Sequence, residues 1–199
     1  MWIARRLRDS VRRRGSASFA VSGGSTAPPM FEVLTGLDVP WQSITIWQVD
    51  ERVAPDGDPD RNAGQLAALP ARAKPMPVTS ADLRAAARRY GNGLPDRFDV
   101  IHLGMGPDGH TASWPPEHEV MDSERPVEVI GAFNGRARMT LTPPVVNAGR
   151  ARVMLTHGED KAELIERWLL RDPGLPVTRL ARTGTLAFID PAAASRLPL

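Results

Sequence analysis

The chain has 199 residues, 42% hydrophobic and 24% charged, enough for one domain with a substantial core. Its 25 basic and 23 acidic residues leave a net charge of +2, which gives no electrostatic footprint for nucleic acid, and the absence of cysteine excludes disulfides and thiolate zinc sites. No apolar run reaches transmembrane length, and the N-terminus runs straight into arginines rather than a signal peptide, so a soluble cytoplasmic protein is expected.

Residues 2–14 place Ile3, Leu7 and Val11 on one stripe of a helix, with arginines on the other faces and Gly15 as its stop. The arginine face reads as solvated rather than as a polyanion site. Ala17 to Val21 is a short strand opening into Ser22-Gly23-Gly24-Ser25-Thr26, followed by Pro28 and an apolar helical pattern. A hydroxyl residue caps a helix well and proline suits its first turn. The free N–H groups and dipole at such a start favour an anion, commonly phosphate. Ser43 to Val49 alternates as a strand and ends in Asp50-Glu51-Arg52, read as charged residues leaving the sheet. Residues 62–93 mix helical patterns with a proline-broken stretch, and no chemistry is assigned there.

Phe98 to Leu103 reads as a buried strand that runs into Gly104, Gly106, Pro107 and Gly109, too many breakers for any regular element to continue. Asp108 and His110 sit in that glycine loop. GMGPDG matches G-x-G-x-x-G, but the dinucleotide fold needs a long helix next, and Pro115-Pro116 allows barely one turn. Two further strands are expected at 126–131 and 136–141, with Arg136 and Arg138 on one face. Thr142-Pro143-Pro144 starts a short helix. Arg152 to Thr156 is another strand, opening into HGEDK with Lys161 in the first turn of the next helix. Gly184 to Ile189 is the last strand.

Short buried strands alternating with helices imply a mostly parallel sheet covered on both faces. Loops at the carboxyl ends of such strands share one edge. SGGST, DER, GMGPDGH and HGEDK each follow a strand directly, so they are expected to converge on one site.

Those four segments, with R-x-T-L-T at Arg138 to Thr142 and G-x-x-K-A at Gly158 to Ala162, resemble the 6-phosphogluconolactonase family in motif and in order. The resemblance implies an α/β fold, a Rossmann-like three-layer sandwich with a mostly parallel sheet of the NagB/RpiA-like type, spanning residues 1–199 as a single unit. It implies hydrolysis of 6-phospho-D-glucono-1,5-lactone in the oxidative pentose phosphate pathway, without metal or organic cofactor. His110 is then the general base. Gly23, Gly24, Ser25 and Thr26 hold the phosphate, Arg52 and Lys161 neutralise it, and Arg138 helps. Backbone amides of the loop from Gly104 through Gly106 to Gly109 stabilise the oxyanion, and Asp50 and Asp108 position sugar hydroxyls or His110. The partner implied is a small sugar phosphate, with no nucleic acid or membrane, and the chain is expected as a monomer or weak homodimer.

Two alternatives come from the same group of proteins. Glucosamine-6-phosphate deaminase couples its histidine to a glutamate five residues on, where this chain has Pro115. A non-catalytic sugar-phosphate sensor generally carries a DNA-binding module, for which there is no room. A metallohydrolase needs clustered ligands, and the four histidines show no pair on one helix face.

Overall fold

A computed structural model describes residues 1–198. Helix α1 (Trp2–Arg14) buries Ile3, Ala4 and Leu7 and stops at Gly15, whose φ of 78° is left-handed, a conformation glycine adopts without a Cβ penalty. Strand β1 (Ala17–Val21) leads through the serine–glycine loop to α2 (Ala27–Thr35), then β2 (Ile44–Gln48), β3 (Asp50–Arg52) and the short α3 (Ala63–Leu66). After β4 (Arg72–Lys74) and α4 (Leu83–Asn92) comes β5 (Val100–Leu103), followed by β6 (Val127–Phe133), β7 (Arg136–Leu141) and α5 (Pro143–Ala148). Strand β8 (Arg152–Thr156), α6 (Ala162–Leu169) and β9 (Thr185–Ile189) complete the order.

Six strands form one sheet in the order β4-β2-β1-β5-β8-β9, and every neighbouring pair is parallel. Alternation sorts their side chains onto two cores. Phe19, Val21, Ile44, Ile46, Val100 and Val153 pack with α1 and α2 on one face. Ala20, Trp47, Ile101, Leu103 and Met154 face the other, against α4 and α6. Helix on sheet on helix is the three-layer sandwich expected, and each strand brings its carboxyl end to the same edge.

The sequence reading is corrected at two strands. Asp50-Glu51-Arg52, read as a loop at a strand's end, is itself a strand of a second, antiparallel sheet ordered β3-β7-β6. One residue makes the transfer: the Val49 N–H donates to Val21 O at 2.9 Å in the first sheet, and Val49 O accepts from Leu141 N–H at 2.8 Å in the second. The other is β4, unassigned in the proline-broken stretch. Prolines at 70 and 75 bracket it, which confines it to three residues at the sheet's margin.

Arg152 is 2% exposed and has no carboxylate partner among the described residues. Its guanidinium donates to the carbonyls of Asn147 (2.8 Å), Gly149 (2.9 Å) and Thr183 and to Thr185 Oγ1 (2.8 Å). These bonds tie α5, β8 and the entry to β9 together.

Candidate active site

The four segments do meet. A cavity of about 470 Å³ lies at the carboxyl edge of the parallel sheet, within the size range of small-ligand sites. Gly23, Gly24, Ser25 and Thr26 line it from β1, Gly104, Gly106 and His110 from β5, and Lys161 from β8. Asp50, Arg52 and Arg138 enter from the small sheet.

Two glycines permit this convergence. A Cβ on Gly106 would run into the imidazole of His110, and one on Gly23 would run into the side chain of Asn62. Thr26 occupies the cap position of α2, but its side chain makes no capping bond. That departs from the capping expected of it and leaves its hydroxyl to face the cavity.

His110 is fixed on several sides. Its Nδ1 meets Asp108 Oδ1 in a close hydrogen-bonded contact, and its N–H donates to the same oxygen at 3.2 Å. Its ring stands perpendicular to that of Phe133, centroids 4.9 Å apart. A carboxylate at Nδ1 favours, for the neutral ring, the tautomer with the proton on Nδ1 and Nε2 as an acceptor. The next residue but one, Ala112, has a φ of 52°, a strained value for a residue with a Cβ. Beyond it, Trp114 is fully buried, and its Nε1 donates to Leu141 O at 2.8 Å, anchoring the loop to β7.

Asp108 and Gly109 do not line the cavity. Asp108 stands behind the imidazole. Gly109 is a packing position: its φ is 78°, a Cβ there would press on Leu175, and its carbonyl accepts from Val177 N–H at 3.1 Å. The expectation for the loop's amides also narrows. The Gly106 N–H is taken by His110 O (2.8 Å) and the Gly109 N–H by Gly106 O (3.2 Å). Among the described residues no hydrogen bond uses the N–H of Gly104 or Met105, and both residues line the cavity.

The small sheet sets Arg52 directly opposite Arg138 in the ladder. Like charges in that register repel. Burial, then the Arg52 charge, lowers the Arg138 pKa from its ordinary value. Arg138 donates from Nε and Nη2 to Phe133 O at 3.2 and 3.0 Å. Arg136 is bridged to Asp58 and Asp60 at 3.1 and 3.0 Å. On the other side of the cavity Lys161 pairs with Asp160 at 2.7 Å. It ends a single 3-10 turn and caps α6 rather than lying within its first turn.

The adjacent carboxylates of β3 differ. Glu51 is fully buried and accepts from Gln48 Nε2 at 2.7 Å and from the Arg52, Asn62 and Ala63 N–H groups at 2.8 Å each, so it pins the next loop to β3. Asp50 accepts from Ser113 Oγ at 2.7 Å. Burial raises its pKa, against the Ser113 bond and the two arginines.

Asn62, Arg136 and His157 also line the cavity and were given no site role from the sequence. Asn62 lies in a stretch to which no chemistry was assigned; its signal was its place in the polar loop after Arg52. The buried oxygens Ser22 Oγ, Asn62 Oδ1 and Thr111 Oγ1 find no partner among the described residues, and all three residues line the cavity. Unpaired buried oxygens are costly, and these three lie beneath the cavity wall with almost no exposed surface of their own. No helix among the described residues is long and apolar enough to cross a membrane.

Relatives match the chain over most of their length. A 6-phosphogluconolactonase of Streptomyces coelicolor is 34% identical over 96% of this chain and 85% of its own. The crystal structure of a 6-phosphogluconolactonase from Shewanella baltica superposes with a TM-score of 0.86 at 25% identity, covering 94% of this chain and 89% of that one. A monomeric glucosamine-6-phosphate deaminase superposes at 0.82 with 19% identity, over 96% of this chain and 92% of that one, a likeness of fold alone. The family model for glucosamine-6-phosphate isomerases/6-phosphogluconolactonase matches residues 1–188, and the chain belongs to that family.

Proposed function

We propose that the chain hydrolyses 6-phospho-D-glucono-1,5-lactone to 6-phospho-D-gluconate, with His110 as the general base. The observation that carries this reading is an imidazole oriented through Nδ1 by Asp108, in a cavity whose other walls bear Lys161, Arg52 and Arg138. Cations and the serine–glycine loop suit the 6-phosphate. A phosphate gripped there leaves the ring's C1 end for the imidazole.

In this reading Nε2 takes a proton from water as the water oxygen bonds to the lactone carbonyl carbon. Charge moves onto the carbonyl oxygen, and the Gly104 and Met105 amides are the donors placed to stabilise it. When the intermediate collapses, the bond from C1 to the ring oxygen breaks and the imidazolium returns its proton to that oxygen. Base and acid are one residue, neutral again at the end. Asp108 keeps the tautomer, and Asp50 is placed to order sugar hydroxyls.

The deaminase shares the fold, so the choice rests on residues. The position five beyond His110 is Pro115, and Glu117 is exposed and outside the cavity lining. The glutamate implied for the deaminase is therefore missing. The deciding assay compares freshly made phosphogluconolactone, unphosphorylated gluconolactone and glucosamine 6-phosphate, with spontaneous opening subtracted. Turnover of the phosphorylated lactone well above the other two is expected. Release of ammonia from glucosamine 6-phosphate at a higher rate overturns the reading.

A further inference from the structure

We infer that Phe133 is a positioning residue for the His110 imidazole and that it joins this ring to the arginine side of the site. The inference rests on His110 being the base.

The Asp108 contact alone does not hold the imidazole. The Asp108 side chain is 36% exposed and that of His110 is 19% exposed, so water competes for the same hydrogen bond. On another side stands Gly106, which offers no side chain to wedge the ring. Phe133 supplies an apolar wall, perpendicular to the imidazole at 85° with centroids 4.9 Å apart. Aromatic pairs favour this edge-on geometry. Phe133 does not itself line the cavity, so it acts on substrate only through its neighbours.

Its place comes from the hairpin joining β6 and β7. The register slips between Ile130 and Phe133, and the turn closes through Asn134 and Gly135, with φ of 50° and 82°. Asn134 and Arg136 reach the cavity while Phe133 backs His110. The same residue seats the arginine: its carbonyl accepts two N–H groups of Arg138, and the guanidinium lies 5.8 Å from its ring centroid. One hairpin residue thus fixes both the ring that moves the proton and a cation facing the phosphate.

The two contacts separate experimentally, because a side-chain substitution removes the ring and keeps the carbonyl. Phe133→Ala is expected to lower kcat about tenfold with KM within twofold of wild type. Phe133→Tyr restores most of kcat. Phe133→Leu keeps bulk without the flat ring and covers poor folding of the alanine variant; it too lowers kcat. In the free protein, nitrogen NMR of His110 should report one tautomer in wild type and averaging of the two ring nitrogens in Phe133→Ala. Unchanged kcat with an unchanged His110 spectrum overturns the inference, as does a loss of kcat that tyrosine fails to restore. If the wild type lacks lactonase activity, the proposed function falls, while the spectrum of His110 still decides the role of Phe133.

Discussion

The parallel sheet and the small antiparallel sheet furnish the cavity in different ways. The parallel sheet contributes mainly what its strands release at their ends: glycine-rich backbone, hydroxyls, the imidazoles of His110 and His157, and one lysine. The antiparallel sheet contributes from within its strands, placing Arg52 and Arg138 opposite one another in the ladder. A loop lets the chain approach a ligand and present amides. A ladder fixes charge at a set spacing, at the expense of repulsion that an anion relieves. In the proposed reading, proton transfer belongs to the first sheet's rim, and much of the cationic grip belongs to the second sheet.

Substitutions on the two sides should separate accordingly. His110→Ala, on the parallel rim, should lower kcat by about 10²–10⁴ and leave the affinity for 6-phosphogluconate, measured calorimetrically, near wild type. A change in affinity with kcat preserved would break the division. Arg52→Ala, on the small sheet, should raise KM by about 10- to 100-fold, the worth of a charge-assisted hydrogen bond, with kcat within about threefold. Because it also removes a like-charge pair, thermal stability should not fall.

A second histidine sharpens the contrast within the parallel sheet. His102 lies inside β5, fully buried, with neither ring nitrogen partnered among the described residues. Burial pushes its pKa down to about 4 from 6.5. Above pH 6.5 it is neutral in both folded and unfolded chains, so its contribution is intact. Between 6.5 and 4 the unfolded chain takes the proton first, and stability falls by about 1.4 kcal/mol per pH unit. Urea titrations at pH 7.5 and 5.0 should show this loss in wild type and a smaller one in His102→Leu. Equal slopes would mean that the strand imidazole is not held neutral.

What the sequence revealed follows the same division. An alternating run marked β2 and short apolar runs marked β1, β5 and β8, and the loops after them pointed to Ser25, Thr26, His110 and Lys161. Helix α1 and strands β7 and β8 were legible to the residue, because each ends at a glycine, a proline or a change of period. The small sheet was not legible as a sheet. Three charged residues after a strand look like a solvated end, and only the sharing of Val49 between two ladders makes them a strand. Glu51 gave no sign of being the buried acceptor for the following loop, since its donors are mostly backbone N–H groups. Asp108 and Gly109 looked equivalent to their neighbours, yet one turned behind the imidazole and the other went to packing.

The buried guanidinium of Arg152 bears on how the molecule opens. Its acceptors lie on both sides of β8 in sequence, from Asn147 to Thr185. Fraying of the last strand therefore takes the Thr183 and Thr185 acceptors from a guanidinium whose remaining bonds hold α5 to β8. Release of β9 and disordering of β8 become a single event, and β8 leads directly into the turn that bears Lys161. Amide exchange in these two strands should then share one opening free energy, so that loosening the C-terminal strand also loosens the turn proposed to hold the phosphate.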